Sequence, residues 1–348
     1  MRTTVARLVT LALLLAACSP SESADSTTSS APTSSTSSSS TSTSTSTTST
    51  TIETGETSLI NGLPVDDPAL LDRRVMAVKI DNHPRARPQS GLDHADMVIE
   101  MLVEGITRFI SIWHESDMDY LGPNRSGRPT DANLLPAFNH PTFTISGAQG
   151  WVQNMITGNG VNLIKELSEG TFRISSRSAP HNLYVDTFTL RETADERGYE
   201  NEPPLGPIWT FGEMPADAES ASMVSIDFGG NNVTWEWDET EGLWLRSADG
   251  REGMVIDQEG NESRIGFPVM VALYTEQYSE NGLPSSRVTG SGEAYVFADG
   301  KFVHGTWERD ELTEWFTLTD ENGDEMVVPP GQSWVSLVPA NQGLEVTP

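Results

Sequence analysis

The sequence predicts an α/β fold with a mixed sheet in its N-terminal half, followed by a mainly β C-terminal half. Three observations support this. Short runs rich in β-branched or aromatic residues at 74–81, 97–103, 106–113 and 142–145 alternate with, or precede, helical patterns. Around Glu202-Pro203-Pro204-Leu205-Gly206-Pro207 the chain changes character, because proline and glycine there forbid a continuous helix or a central strand. Beyond that point, strand-like pieces are separated by Asp249-Gly250, Asn281-Gly282, Asp299-Gly300 and Asn322-Gly323, dipeptides that favour hairpins.

In chain order, Val75, Met76, Ala77, Val78 and Ile80 form a buried strand that Asn82-His83-Pro84 stops with turn chemistry. Further strands are expected at 97–103, 106–113 and 142–145, and helices at 130–138, 152–156, 163–167 and 187–197. In the C-terminal half, strands are expected at 223–228, 233–237, 243–246, 269–274, 294–297, 302–307, 315–318 and 334–338. The expected division is an α/β domain over 58–200, a connection over 201–212 and a mainly β domain over 213–348. Such a chain is long enough for one large domain or two ordinary ones. The tryptophans of the β half, among them Trp235, Trp244, Trp307 and Trp334, are read as core before they are read as a sugar-stacking face.

The first 57 residues carry an address. Arg2 and Arg7 precede an apolar run from Leu8 to Ala17, which has the pattern of a signal peptide and is about half the length a spanning helix needs. Leu15-Ala16-Ala17-Cys18 resembles the bacterial lipobox, which implies lipidation of Cys18 and cleavage just before it; the lipoprotein signal segment together with its cysteine spans residues 1–18. A diacylglyceryl group should anchor where a single acyl chain is marginal. Residues 19–57, dominated by Ser and Thr, lack the apolar side chains that would offset the entropy of folding and are expected to form a disordered tether. The implied location is the outer face of the cytoplasmic membrane, extracytoplasmic and lipid-anchored.

The formal net charge of −29 makes nucleic acid an unsuitable partner, since like charge repels phosphate. Against that background the placement of arginine is informative. Arg85 and Arg87 lie in NHPRARPQSGL, Arg125 and Arg128 in GPNRSGRP, and Arg173 and Arg177 in FRISSRSAPHN, all loop-like segments. Their guanidinium forks suit bidentate recognition of carboxylate or phosphate, and convergence on one anion is the functional expectation. The competing expectation is that each pairs with one of the many carboxylates. His83 and His181 are candidate acid/base groups, with Asp81, Asn82, Ser126 and Asn182 in support. No histidine pair has metal-ligand spacing, so no metal site is assigned, and the cofactor is unknown. Ser126 and Ser178 lie outside any nucleophile elbow. Glu100 and Glu104 are read as solvated.

The run VKIDNHPRARPQSGLDHADMVIEMLVEGITRFISIWHES, then GPNRSGRP and RSAPHNLY, and towards the C-terminus GSGEAYVFADGKFVHGTWER and PPGQSWVSLVP, resembles the YerB-like lipoprotein family of bacterial envelope proteins. The resemblance implies a lipid-anchored, extracytoplasmic protein in two parts and supplies no reaction or ligand. The stretch 242–290 departs from the family pattern, which leaves its role open. Three functions are therefore carried forward. One is a non-catalytic module that binds an anionic ligand, such as a wall glycan, a phosphorylated precursor or a partner protein. The others are an envelope enzyme, hydrolase or transferase, acting on phosphorylated or glycan substrates, and a structural assembly partner in the envelope.

Overall fold

The computed structural model describes residues 56–348. The leader, Cys18 and the tether up to residue 55 lie outside the described residues. The first half supplies β1 (Met76–Ile80), β2 (Met97–Val103), β3 (Ile106–Trp113), β4 (Thr142–Ile145) and β5 (Asn162–Lys165), with a small ribbon of β6 (Thr171–Arg173) and β7 (Leu183–Val185). Its helices are α1 (Pro129–Leu134), α2 (Gly150–Gly158) and α3 (Thr187–Glu196). The second half supplies β8 (Met223–Asp227), β9 (Asn232–Asp238), β10 (Leu243–Ala248), β11 (Val269–Thr275), β12 (Gly290–Ala298), β13 (Lys301–Arg309), β14 (Thr317–Asp320), β15 (Ser333–Pro339) and β16 (Leu344–Thr347), with shorter strands between.

The residues on either side of 201–212 share one mixed sheet in the order β14-β13-β12-β11-β15-β2-β3-β1-β4-β5. The join is β15, which runs parallel to β11 on one side and to β2 on the other, pairing Trp334 with both Met270 and Val98. The stretch 201–212 is irregular, as its prolines require, but it separates no sheets. A second sheet of β10-β9-β8-β16 and two short strands covers one face of the large one.

Burial on both faces explains why β1 and β15 read as nearly continuous apolar runs rather than alternating ones. On one face Ala77, Ile99, Ile112, Phe143, Val271 and Leu337 meet Ala132 and Leu134 of α1 and Val152 and Ile156 of α2. On the other, Val78, Val98, Phe109, Met270 and Trp334 meet Leu190 and Ala194 of α3 and Trp235, Trp244 and Phe267 from the second sheet. Trp235, Trp244, Trp307 and Trp334 are all buried, in keeping with their reading as core.

Two local expectations are corrected. Residues 163–167 were expected to be helical, but Asn162–Lys165 is an edge strand parallel to β4; four residues of NLIK fit either period, and the crossover geometry of β4-α2-β5 decides. The expected 130–138 helix is α1 followed by a 3-10 turn over Leu135–Phe138, with Pro136 unable to donate to a continuing α-helix. The β2–β3 hairpin turns on Glu104-Gly105, both at positive φ (54° and 82°) like a type I′ turn.

Candidate functional site

The C-terminal end of β1 is where the chain leaves its sheet. Asp81 N donates to Pro123 O, Arg125 N to Lys79 O, and Ser146 N to Arg125 O, so the segment from Pro123 is laid across the ends of β1 and β4. Buried Asn124 fastens it, its Nδ2 donating to Lys79 O and Thr144 O at 3.0 and 2.9 Å. From the far side, Asn124 N donates to Leu183 O and Leu121 pairs with Val185, which brings up the β6–β7 ribbon and with it His181. Three segments distant in sequence thus meet at the ends of parallel strands, a common place for ligands in sheets of this kind.

At the meeting point His181 Nδ1–H donates to Asp81 Oδ2 at 2.8 Å. Asp81 is fully buried, and its Oδ1 accepts from His83 N at 3.0 Å. The rings of His83 and His181 stack with centroids 4.7 Å apart and planes 15° apart. His83 Nδ1 accepts from Arg85 N at 3.1 Å, which fixes the neutral ring with its proton on Nε2. Burial, and then the neighbouring His181, hold the His83 pKa below the ordinary histidine value. Arg125 Nε stands 3.4 Å from Asp81 Oδ2, an ion pair without hydrogen-bond alignment. Arg85 is exposed, and among the described residues its side chain has no carboxylate partner. The result is a buried carboxylate that orients one imidazole, a second imidazole stacked on it, and two guanidinium groups nearby.

The remaining arginines do not join this cluster. Arg128 Nη2 grips both oxygens of Glu104 at 2.9 and 3.0 Å, and Arg173 binds Glu166 and the side-chain oxygen of Asn182. Arg177 donates to the carbonyls of Ala86 and Pro88, stapling the 84–88 loop to the segment that carries His181. Arg87 Nε donates to Asn82 Oδ1 at 2.8 Å. Convergence of all six on one anion is therefore not what the fold produces, because in a chain this acidic the carboxylates that fold next to Arg128 and Arg173 take them first. Ser126 Oγ lies 3.3 Å from Ser146 Oγ, and its carbonyl accepts long bonds from Arg108 and Arg128; Asn182 Nδ2 donates to Ile174 O inside the ribbon. Both shape the surroundings of His181 and Arg125.

Adjacent Asp81 and Asn82 enter separate networks. Asn82 Nδ2 donates to Thr107 Oγ1 at 2.8 Å, and Thr107 donates to Glu100 Oε1 at 2.5 Å. Glu100 is fully buried, receives Trp334 Nε1 at 3.0 Å, and pairs with Arg246 Nη2 at 2.6 Å across the two sheets. Its reading as a solvated residue is overturned; Glu104 caps the hairpin and is spent on Arg128 and Arg108. Lys79 is likewise buried, 2.6 Å from Asp131 of α1, and burial brings its pKa down to about 8. Sequence reasoning missed Glu100–Arg246 and Lys79–Asp131. The available signal was a lone charge inside an apolar strand, VIEML and AVKI, since such a charge must find a partner. Among the described residues no group of three or more His, Cys, Asp or Glu is arranged to hold a metal ion, and no helix is long and apolar enough to cross a membrane.

Two models from one family match the chain: the N-terminal domain of a protein of unknown function (DUF3048) over residues 60–200, and the C-terminal domain over 224–335. The chain is 27% identical over 277 residues to "Putative lipoprotein YerB" of Bacillus subtilis (strain 168), covering 77% of this chain and 82% of that protein. Its fold is similar to the crystal structure of YerB protein from Bacillus subtilis, with a TM-score of 0.72 at 24% identity, covering 83% of this chain and 99% of the other.

Proposed function

The chain belongs to the DUF3048 family, and from that premise we propose that it is a lipid-anchored envelope protein that binds an anionic ligand at the Asp81, His83, His181, Arg125 and Arg85 cluster. Anchoring rests on Leu15-Ala16-Ala17-Cys18 and on the name of its Bacillus subtilis relative, "Putative lipoprotein YerB". Placement on the extracytoplasmic face follows from the same leader.

The observation that carries the binding reading is the 2.8 Å bond from His181 to Asp81. It commits Nδ1 and leaves Nε2 of His181 with no protein partner among the described residues, next to the Nε2–H donor of His83. Nε2 of His181, the Nε2–H of neutral His83, Arg125 and Arg85 together offer hydrogen-bonding groups and positive charge to a phosphate or carboxylate, in a chain with a formal net charge of −29. Isothermal titration with pyrophosphate should show binding to the parent and at least about tenfold weaker binding to Arg125→Ala and His181→Ala. Equal affinity in all three, or none in the parent, rejects the site.

The same bond favours one second reading. A carboxylate that fixes the Nδ1–H tautomer of a histidine makes Nε2 a general base, as in other Asp–His pairs. Turnover of lipid-linked phosphorylated precursors by the parent and not by His181→Ala, tested across metal ions, would establish it. An absence of product in every condition leaves the binding role alone.

A further inference from the structure

On the other side of the 81–90 loop lies a cavity of about 580 Å³, bounded by that loop and by residues 246–265 of the second half. It holds a guanidinium group that was built into place. Arg246 is 2% exposed, and its guanidinium lies over Trp334 and Phe109 at 5.1 and 5.3 Å from the ring centroids. Nε and Nη2 are both given to Glu100, at 3.3 and 2.6 Å. Nη1 has no protein acceptor among the described residues, and Arg246 lines the cavity. Arg87 enters from the loop, with Nε held by Asn82 and Nη1 no closer than 4.0 Å to a carboxylate, that of Asp249. Each group is thus held through its other nitrogens, and both line the same cavity.

We propose that this cavity binds a small organic acid, with its carboxylate on Arg87 and Arg246 and its apolar body against Pro88, Met254 and Ile265. Two fixed guanidinium groups that share a cavity repel each other, and an anion placed between them relieves that cost while using planar donors suited to carboxylate. Burial and the nearness of Arg246 already lower the Arg87 pKa, as expected of crowded like charges. The rim selects against larger charge. Asp249, Glu252 and Glu262 line the same space, alongside Arg251, and Glu252 is held by Arg264 at 2.7 Å. A polyphosphate would meet those carboxylates, whereas one carboxylate buried against Arg246 would not. The volume is in the range of small-molecule sites.

The test uses the full chain in detergent, with benzoate as probe, benzamide as its neutral counterpart, and ligand-observed NMR titration as readout. Benzoate should bind the parent at least about tenfold more tightly than benzamide, and Arg87→Met should weaken benzoate binding by about tenfold or more while Arg287→Ala, at a surface arginine paired with Glu276, leaves it unchanged. Arg246→Met should abolish it; because that variant strands Glu100, the half-buried Arg87 carries the decision if it fails to fold. Equal binding of benzoate and benzamide, no benzoate binding to the parent, or loss in Arg125→Ala with retention in Arg87→Met would each overturn the proposal. The site is independent of the His181 cluster, so failure of pyrophosphate binding there leaves it standing.

Discussion

The carboxylate of Asp81 lies 2.8 Å from Nδ1 of His181, joining positions 100 residues apart in the chain. The same carboxylate also receives the His83 amide and faces Arg125. Asp81→Ala leaves these donors without their acceptor in a buried place and should cost about 1–3 kcal/mol, read as a lowered urea midpoint at unchanged slope. His181→Ala, which removes one nearly buried ring but leaves Asp81 its amide and its arginine, should cost less. A larger loss in His181→Ala than in Asp81→Ala would contradict this account of the cluster.

The Glu100–Arg246 pair ties the two sheets together. Arg246→Met leaves Glu100 charged and buried, so it should destabilise by about 3–5 kcal/mol. Adding Glu100→Gln to that variant should recover much of the loss, because the stranded charge is gone while Thr107 and Trp334 keep a polar neighbour. Chemical denaturation of these two variants and of Glu100→Gln alone checks the cycle, and purely additive effects would mean that the pair is not coupled.

Lys79 gives a pH dependence of definite sign. Its folded pKa of about 8 lies below the ordinary 10.5, so the unfolded chain holds the proton more tightly. The penalty for the buried charge is complete below about pH 8 and is relieved as pH rises towards 10.5, so its contribution to stability grows across that window. Compared with a Lys79→Met, Asp131→Leu double variant, the parent should gain stability between pH 8 and 10 in urea melts. A flat or falling difference would show that the ammonium is not penalised in the folded state.

Arg177 holds the 84–88 loop through two carbonyls and, among the described residues, is offset by no carboxylate. Arg177→Ala should therefore speed amide exchange over residues 83–90 while shifting global stability by no more than about 1.5 kcal/mol. Unchanged exchange in that loop would mean that the staple is not what orders it.

Strands were legible where one signal was enough. The runs at 97–103, 106–113 and 142–145 are strands over those same residues, and Asp249-Gly250, Asn281-Gly282 and Asp299-Gly300 all adopt positive φ at both positions. Glu104-Gly105 does the same work with a residue pair that carries a weaker turn signal. Less legible was anything set by pairing at long range. Glu100 and Glu104 stand four apart in one sequence, yet one is buried beneath Arg246, 146 residues on, and the other sits at a hairpin tip. Local pattern places a residue on an element and its face; the partner is chosen by the sheet order. The meeting of His83, Asp81 and His181 follows the same rule, since residue types alone marked them as candidates and only the crossing of the 123–126 segment over β1 brings them together.

The insertion of β15 between β11 and β2 also sets the order of assembly. A chain emerging from its N-terminus has made every other strand of the large sheet before Ser333 appears, and until then β2 and β11 each present a bare edge of amides and carbonyls. The last-made strand of the large sheet is its keystone, so these two inner edges are closed to edge-to-edge association only once residues 333–339 have been made.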